Sequence, residues 1–239
     1  MPSIHRILPL LGCLASCIGT TALATADGPD YYAVQDVGIS DVLNVRATPS
    51  SSGTLIGTIP SDGDGLANLG CVGGLNYDEW EKATEVDRAA ARETRWCRVG
   101  YDRTIGWTAG WLLTEGGADD QFRAGGALSD MAGSEWMLRD FAGETPNADA
   151  WIAFREDNSV GGNAGCNNFS GMHTSRQGSA LFTPMAATRK MCLGAEMQTE
   201  MRFFQALNEA SEMVSFHLLM ALFDGNGALL ATFERRDPD

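Results

Sequence analysis

The segment from Ser159 to Cys192 constrains the fold more than any other part of the chain. It begins with the residues S-V-G-G-N-A-G-C-N-N-F-S-G-M-H, in which glycine and asparagine recur. Glycine adopts backbone angles that other side chains forbid, and asparagine tolerates left-handed turns. Cys166 and Cys192 lie on either side of a hairpin-sized excursion that contains the strand-like residues S-A-L-F-T-P. The pattern therefore predicts short strands joined by tight turns.

This segment resembles the core of the META domain, the family of HslJ-like bacterial envelope proteins. Two further motifs carry the resemblance: E-W-M-L at 135–138 is similar to the start of that domain, and L-F-D-G-N-G-A-L-L-A-T-F-E-R at 222–235 is similar to its end. The resemblance implies an α+β domain at 134–236, with an antiparallel sheet or barrel and one helix. It implies a stress or antibiotic-tolerance role but no substrate, because the family has no agreed catalytic activity.

Hydrophobic periodicity predicts the elements of this half. A helix is expected where apolar residues approximate one stripe, at Ala195, Met197, Met201, Phe204 and Leu207. Strands are expected at 213–219 and 220–224, and they place His217 inside a strand as a core or edge residue. The residues D-G-N-G at 224–227 then predict a tight hairpin turn.

The first 26 residues resemble a secretory signal peptide. Arg6 precedes an apolar run from 7 to about 18, and small residues follow up to 26. The run is shorter than the roughly 20 residues of a membrane-spanning helix. We therefore expect cleavage before Asp27 and export to the periplasm or cell envelope, with no transmembrane span. L-A-S-C at 14–17 also resembles a lipobox, in which Cys17 would carry a lipid anchor; alternatively, Cys17 is an ordinary residue of the cleaved signal.

Charge and cysteine spacing narrow the possibilities further. The formal net charge of −14 argues against a nucleic-acid partner, because like charges repel. Outside the signal peptide four cysteines remain, and four cysteines allow three pairings. Both sequential pairs have the same spacing within one proposed domain, so in an oxidising compartment we expect the disulfides Cys71–Cys97 and Cys166–Cys192. Such loops stabilise by roughly 3–4 kcal/mol in the chain-entropy model.

Residues 31–115 show short strand patterns, and their motifs resemble the bacterial SH3 (SH3b) domain. These motifs are L-N-V-R-A-T-P-S at 43–50, I-G-T-I-P at 56–60, W-C-R-V at 96–99 and G-W-T-A-G-W-L at 106–112. The resemblance implies a small β-barrel that recognises peptides or cell wall. Tyr101, Trp107 and Trp111 are the candidate groove residues, since aromatic rings give flat contact surfaces. The alternative for Trp107 is a place in the barrel core. Arg46 is interpreted as an ion-pair partner or a donor to a backbone carbonyl.

Two segments depart from regular strand patterns. The segment near 77–93 lacks glycine and proline and is rich in Ala, Glu and Arg, which predicts a helical insertion on the surface of the first domain. Its alternative role is to dock a partner through Trp80. Residues 116–133 contain two Gly-Gly pairs, which predicts a flexible linker and two domains that reorient freely.

Candidate chemistry in the second domain is sparse. Asn167, Asn168 and Thr188 form a candidate functional patch; alternatively, the asparagines shape turns and Thr188 bonds the backbone near Cys192. A Cys166–His173 dyad is conceivable, but a disulfide at Cys166 would remove the nucleophile. No C-x-x-C, phosphate-loop or complete calcium-loop pattern occurs in the sequence. We therefore expect no metal, no cofactor and no catalysis.

These observations lead to a mainly β protein of the cell envelope. The leading hypothesis is a non-catalytic protein whose SH3b module recognises peptidoglycan or an envelope protein, while its META module has a stress-related role. A second hypothesis is an inhibitor or chaperone-like partner of another envelope protein. A third is a cell-wall enzyme with an unrecognised site, which turnover dependent on Asn167, Asn168 or Glu196 would support.

Overall fold

A computed structural model describes residues 28–117, 131–174 and 181–236. Within these ranges the chain is mainly β, with two antiparallel sheets, which confirms the predicted fold class. The predicted signal peptide at 1–26, the candidate lipid site Cys17 and most of the predicted linker at 116–133 lie outside the described residues. No helix of the described ranges combines the length and apolarity needed to cross a bilayer.

The first half forms a seven-stranded sheet in the order β3-β2-β6-β5-β4-β1-β7. Alternation along the strands sends one set of side chains inward; in β2, for example, Leu43 and Val45 are buried while Val42 and Asn44 are exposed. These residues pack with Ile59, Leu66 and Val99 in a shared core. The strands are β1 (Tyr31–Val34), β2 (Val42–Arg46), β3 (Leu55–Pro60), β4 (Leu66–Val72), β5 (Trp96–Tyr101), β6 (Thr104–Ala109) and β7 (Leu113–Glu115).

The segment between β4 and β5 forms two short helices rather than one. They are α1 (Tyr77–Lys82) and α2 (Glu85–Arg92), and neither contains a buried residue. Thr84 ends the continuity because its side chain caps α2 and accepts a hydrogen bond from the amide of Asp87. The insertion starts at Gly73, whose φ of +72° and closeness to the Thr94 carbonyl leave no room for a side chain.

The second half forms an eight-stranded sheet in the order β12-β11-β10-β9-β8-β15-β14-β13. A single long helix, α3 (Ala195–Glu209), packs on it, and Phe203 and Leu207 of this helix join a core with Phe154 and Phe233. The strands are β8 (Glu135–Asp140), β9 (Trp151–Phe154), β10 (Ser159–Asn163), β11 (Asn168–Met172), β12 (Ala186–Ala187), β13 (Glu212–Phe216), β14 (Leu219–Phe223) and β15 (Leu229–Arg236).

Two local predictions in this half were wrong. The inward face of α3 carries Phe203 and Ala206, whereas Met201 of the predicted stripe is 63% exposed. His217 does not lie in a strand: it occupies the turn between β13 and β14, with a left-handed φ of 57°. The turn therefore comes earlier than the run of apolar residues suggested.

The two halves share a hydrophobic core. Phe216, Leu219 and Phe223 of the second sheet pack against Ile105 and Trp107 of β6. Each fully buried side chain of this size contributes about 1.5–3 kcal/mol relative to exposure. The amide of Leu229 also donates to the Ala47 carbonyl over 2.8 Å. This packing differs from the free reorientation of two linked domains that the glycine-rich segment suggested.

Both predicted disulfides are confirmed. Cys71 and Cys97 are direct register partners on β4 and β5, with an S–S distance of 2.08 Å. Cys166 and Cys192, with sulfurs 1.97 Å apart, join the turn after β10 to the segment before α3. Disulfides of this kind are compatible with an oxidising, extracytoplasmic location.

Candidate ligand groove

Two adjoining cavities of about 300 Å³ each lie on the first half of the molecule. The first, here called the insertion cavity, lies between α1–α2 and the sheet, and its lining includes Trp80, Arg92 and Arg95. The second, here called the loop cavity, is lined by the β1–β2 loop and by Asp41 and Trp96. Asp36 and Trp111 line both cavities. The two cavities together form one continuous surface, which we call the groove.

Trp111 is held in place at the junction of the two cavities. It lies in a 3-10 turn, Gly110–Leu112, and its ring meets Trp96 edge to face with centroids 5.7 Å apart. The side-chain amide of Gln35 donates to the carbonyls of Trp111 and Leu113 over 3.3 and 3.0 Å. The Gln35 hydrogen bonds hold the backbone of this turn, and the Trp96 contact restrains the Trp111 ring. Because the ring is restrained without a ligand, little side-chain entropy remains to be lost on binding.

Trp80 is the second tryptophan in the lining of the insertion cavity. It lies on α1, a helix with no buried residue, and its side chain is 38% exposed. The guanidinium of Arg88 lies 5.2 Å from the centroid of the Trp80 ring, and Arg88 Nε donates to the Trp80 carbonyl over 2.9 Å. These contacts connect α2 to α1 and hold Trp80 in the lining of the insertion cavity.

The charges of the groove are separated by cavity. Arg92 and Arg95 line the insertion cavity, whereas Asp41 lines the loop cavity and Asp36 lies where the two meet. Asp36 adopts a left-handed φ of 56°, a conformation that Asp tolerates better than most residues. Arg46 also reaches the loop cavity, but its Nη1 donates to the Gly53 carbonyl over 2.8 Å, which agrees with its predicted structural role.

The three predicted groove residues have different positions. Trp111 lines both cavities. Trp107 does not reach the groove: it is 2% exposed, meets Phe223 edge to face, and its Nε1 donates to the Gly227 carbonyl over 2.6 Å. Tyr101 is half-buried against the core of the first sheet and lines neither cavity. Asp36 and Arg92 were not predicted from the sequence, because no aromatic or family signal marks them.

The three residues of the predicted patch, Asn167, Asn168 and Thr188, lie together and are linked by hydrogen bonds that support the fold. Thr188 Oγ1 donates to Asn167 Oδ1 over 2.8 Å and accepts from the Asn168 amide over 3.2 Å. Asn167 is 3% exposed, and its carboxamide also accepts from the Lys190 amide and donates to Glu200 Oε1. The amide oxygen of Asn167 therefore accepts two hydrogen bonds within the fold, one for each lone pair, which favours the structural interpretation of Asn167.

Three of the groups with shifted pKa values, His173, Asp140 and Glu212, line neither cavity of the groove. Partial burial lowers the pKa of His173, whose ring meets Phe154 with centroids 5.2 Å apart. Burial raises the pKa of Asp140, although hydrogen bonds oppose it. The hydrogen bonds from Arg98 lower the pKa of Glu212. Among residues 28–117, 131–174 and 181–236, no three His, Cys, Asp or Glu side chains converge as metal ligands.

Comparison with known proteins identifies one half of the molecule. No curated protein matches the chain. The chain is similar to an NMR structure of a protein from Burkholderia xenovorans, with 21% identity and a TM-score of 0.41 over 52% of this chain and 96% of that one. A second NMR structure has 20% identity and a TM-score of 0.37 over 44% of this chain and 91% of that one. Residues 129–237 match the family model of the META domain, which confirms the predicted META domain and is in keeping with a stress-related envelope protein.

Proposed function

We propose that this chain is a non-catalytic protein of the cell envelope whose first half binds the peptidoglycan wall through the groove. The groove formed by the two cavities at Trp111 is the observation that carries the proposal. In this proposal the first half is a bacterial SH3-type module, delivered by the predicted signal peptide. The META half has a stress-related role at the wall.

The lining of the groove supports a wall polymer as the ligand. Trp80 and Trp111 offer flat aromatic surfaces, which pack against sugar rings and peptide planes at low entropic cost. The lining also contains charged side chains, among them Asp36, Asp41 and Arg92, as suits a ligand of sugars and charged peptides rather than an apolar molecule. The two disulfides are compatible with the oxidising compartment in which the wall is met.

The non-catalytic part of the proposal is supported by the state of the cysteines and asparagines. Cys166 is bonded to Cys192 and offers no thiolate to His173. Asn167 is committed to Thr188 and Lys190. Two groups that a catalytic site in the second half could use, the Cys166 sulfur and the Asn167 amide, are therefore held in structural contacts.

A pull-down with purified peptidoglycan sacculi tests the proposal. Because the halves share a core, the test uses the whole chain without residues 1–26, and compares it with Trp111→Ala and Tyr77→Ala. Tyr77 is the matched control, since it is 74% exposed on α1 but does not line the groove. We expect wild type and Tyr77→Ala to sediment with sacculi and Trp111→Ala to remain in solution. Absence of sacculus binding by the wild type would overturn wall recognition and favour a protein partner.

A further inference from the structure

The geometry points to a groove that binds a zwitterionic peptide in one direction. We propose that the loop cavity takes a free amine of the wall peptide and that the insertion cavity takes a carboxylate of the same peptide. This inference rests on the proposed wall binding and specifies which part of the wall is read. Arg92 and Arg95 line the insertion cavity but not the loop cavity, whereas Asp41 lines the loop cavity but not the insertion cavity. Asp36 and Trp111 line both cavities, and this arrangement of charges about Trp111 is the juxtaposition that carries the inference.

The loop cavity has the chemistry of an amine site. Asp36 and Asp41 are exposed and supply negative charge beside the edge-to-face pair of Trp96 and Trp111. A primary ammonium is attracted both by carboxylates and by the face of an indole ring. The one cation of this lining, Arg46, is turned to the Gly53 carbonyl. A second positive charge from a ligand would therefore meet two carboxylates and two aromatic rings.

The insertion cavity has the chemistry of a carboxylate site. Arg95 lines it, and its Nη2 lies 3.5 Å from the Cys71 sulfur, next to Tyr32. Arg92 lies at the end of α2 and forms no ion pair with any of the described residues. The guanidinium of an arginine donates two parallel hydrogen bonds to the oxygens of a carboxylate. Arg92 is thus the group of this cavity that is available to an anionic ligand.

Because Trp111 lines both cavities, a single ligand that packs on its ring can reach both cavities. Trp80 lines the insertion cavity together with Trp111. A peptide that crosses this junction packs on the rings and brings its amine and its carboxylate to opposite cavities. A ligand in the reverse direction would meet like charges at both ends, which disfavours it. The peptides of peptidoglycan carry free amines and free carboxylates, whereas its glycan backbone does not provide both.

Chemically modified sacculi test the direction of binding. Untreated sacculi are compared with sacculi whose amines are acetylated and with sacculi whose carboxylates are amidated. The proteins are the wild type, Asp36→Asn and Arg92→Gln, with Asp102→Asn and Arg189→Gln as controls. Asp102 matches Asp36 because it is exposed and also left-handed, with a φ of 50°, and it lies outside the groove. Arg189 is an exposed arginine of the second half.

A crossed pattern is expected. Acetylation should weaken the wild type about tenfold, the value of one charge-assisted contact, and should have no further effect on Asp36→Asn. Amidation should weaken the wild type similarly and leave Arg92→Gln unchanged. Each variant should keep its sensitivity to the other treatment. Both controls should behave as the wild type, which separates the local contacts from the change in net charge.

The outcomes distinguish the two levels of the proposal. If the wild type binds untreated sacculi but the treatments weaken all variants equally, wall binding stands and the directional inference is overturned. The directional inference is also overturned if Asp36→Asn responds to acetylation and Arg92→Gln to amidation, since the charges would then not read these groups. If the wild type does not bind untreated sacculi, the proposed function itself falls, and the inference with it.

Discussion

Trp107 and Trp111 lie on the same stretch of chain, yet they belong to opposite kinds of surface. Trp107 is 2% exposed, with Phe223 against its ring and Gly227 accepting its N–H. Trp111 contacts Trp96 on one edge and borders two open cavities. One tryptophan is a junction between the halves of the protein, and the other is available to a ligand.

The arginines near these tryptophans repeat the contrast. Arg98 is 4% exposed, makes two hydrogen bonds to Glu212 of 2.8 and 2.5 Å, and stacks on Trp107 and Phe223. Arg92 is exposed on a helix that buries nothing. Residue type is therefore a poor guide to role. What decides the role is whether the second half of the chain covers the side chain.

The largest expected effect is the difference in stability between alanine variants of the two tryptophans. Trp107→Ala would open a cavity in the shared core and lower the free energy of unfolding by about 3–5 kcal/mol. Trp111→Ala would remove one edge-to-face contact and lower it by about 1 kcal/mol. Urea denaturation followed by circular dichroism measures both. Equal losses in the two variants would contradict the contrast between a covered and an open ring.

The next effect compares the covered ion pair with an exposed one. Glu212→Gln removes the counter-charge from Arg98, whose side chain is 5% exposed, whereas Glu234→Gln affects Arg103, whose side chain is 61% exposed. Because water reaches Glu212 itself, we expect its loss to be about 1–2 kcal/mol, below the cost for a fully buried pair. Glu234→Gln should cost less than about 1 kcal/mol. The same denaturation series measures both, and the reverse order would show that Arg98 is satisfied without Glu212, for example by its bonds to the Leu69 carbonyl.

The pH dependence of the ion pair provides a finer test. The hydrogen bonds from Arg98 hold the pKa of Glu212 below its usual value of 4.5. A lowered pKa contributes stability that is present above the pKa of the unfolded chain and lost as the pH falls through the folded pKa. The stability difference between wild type and Glu212→Gln should therefore be constant near neutral pH and shrink below pH 4.5.

This difference is the appropriate quantity because other carboxyl groups titrate as well. Burial raises the pKa of Asp140, so its ionisation opposes folding and its contribution changes in the opposite direction. Subtracting the two curves removes Asp140, which both proteins share. The measurement should extend to pH 3, about 1.5 pH units below the usual pKa of a glutamate. A stability difference that stays constant over this whole range would mean that Glu212 is not ionically coupled to Arg98.

The sequence predicted those features that depend on local pattern. Equal spacing within each half predicted both disulfides, and the turn-rich segment with its flanking motifs predicted the META domain. The mainly β fold followed from alternation and turn residues. In each case the deciding residues lie within one half of the chain, so their pattern could be recognised without the rest.

The missed features depend on contacts between distant residues. Trp107 bonds to Gly227, 120 residues later, and no local pattern shows which tryptophan of β6 and the following turn is covered. The exposed Met201 of α3 was placed in the predicted stripe and the buried Phe203 was left out for a similar reason. Apolar residues occur on more than one side of this helix, and only the sheet decides which side faces inward. Asp36 and Arg92 acquire their meaning from a groove that strands and insertion build together.

The smallest expected effect on stability belongs to Arg92, and it sharpens the comparison most. Arg92→Gln should change the free energy of unfolding by only about 0.5 kcal/mol, the value of a cation in the last turn of a helix, because its side chain supports no buried contact. Arg92→Lys keeps that charge and should leave the free energy of unfolding unchanged. If thermal unfolding of Arg92→Gln shows a loss as large as that of Glu212→Gln, Arg92 is a structural residue like Arg98, and the insertion cavity is no longer a free carboxylate site. If the loss is small while sacculus binding falls, stability and recognition are carried by different arginines of the same half.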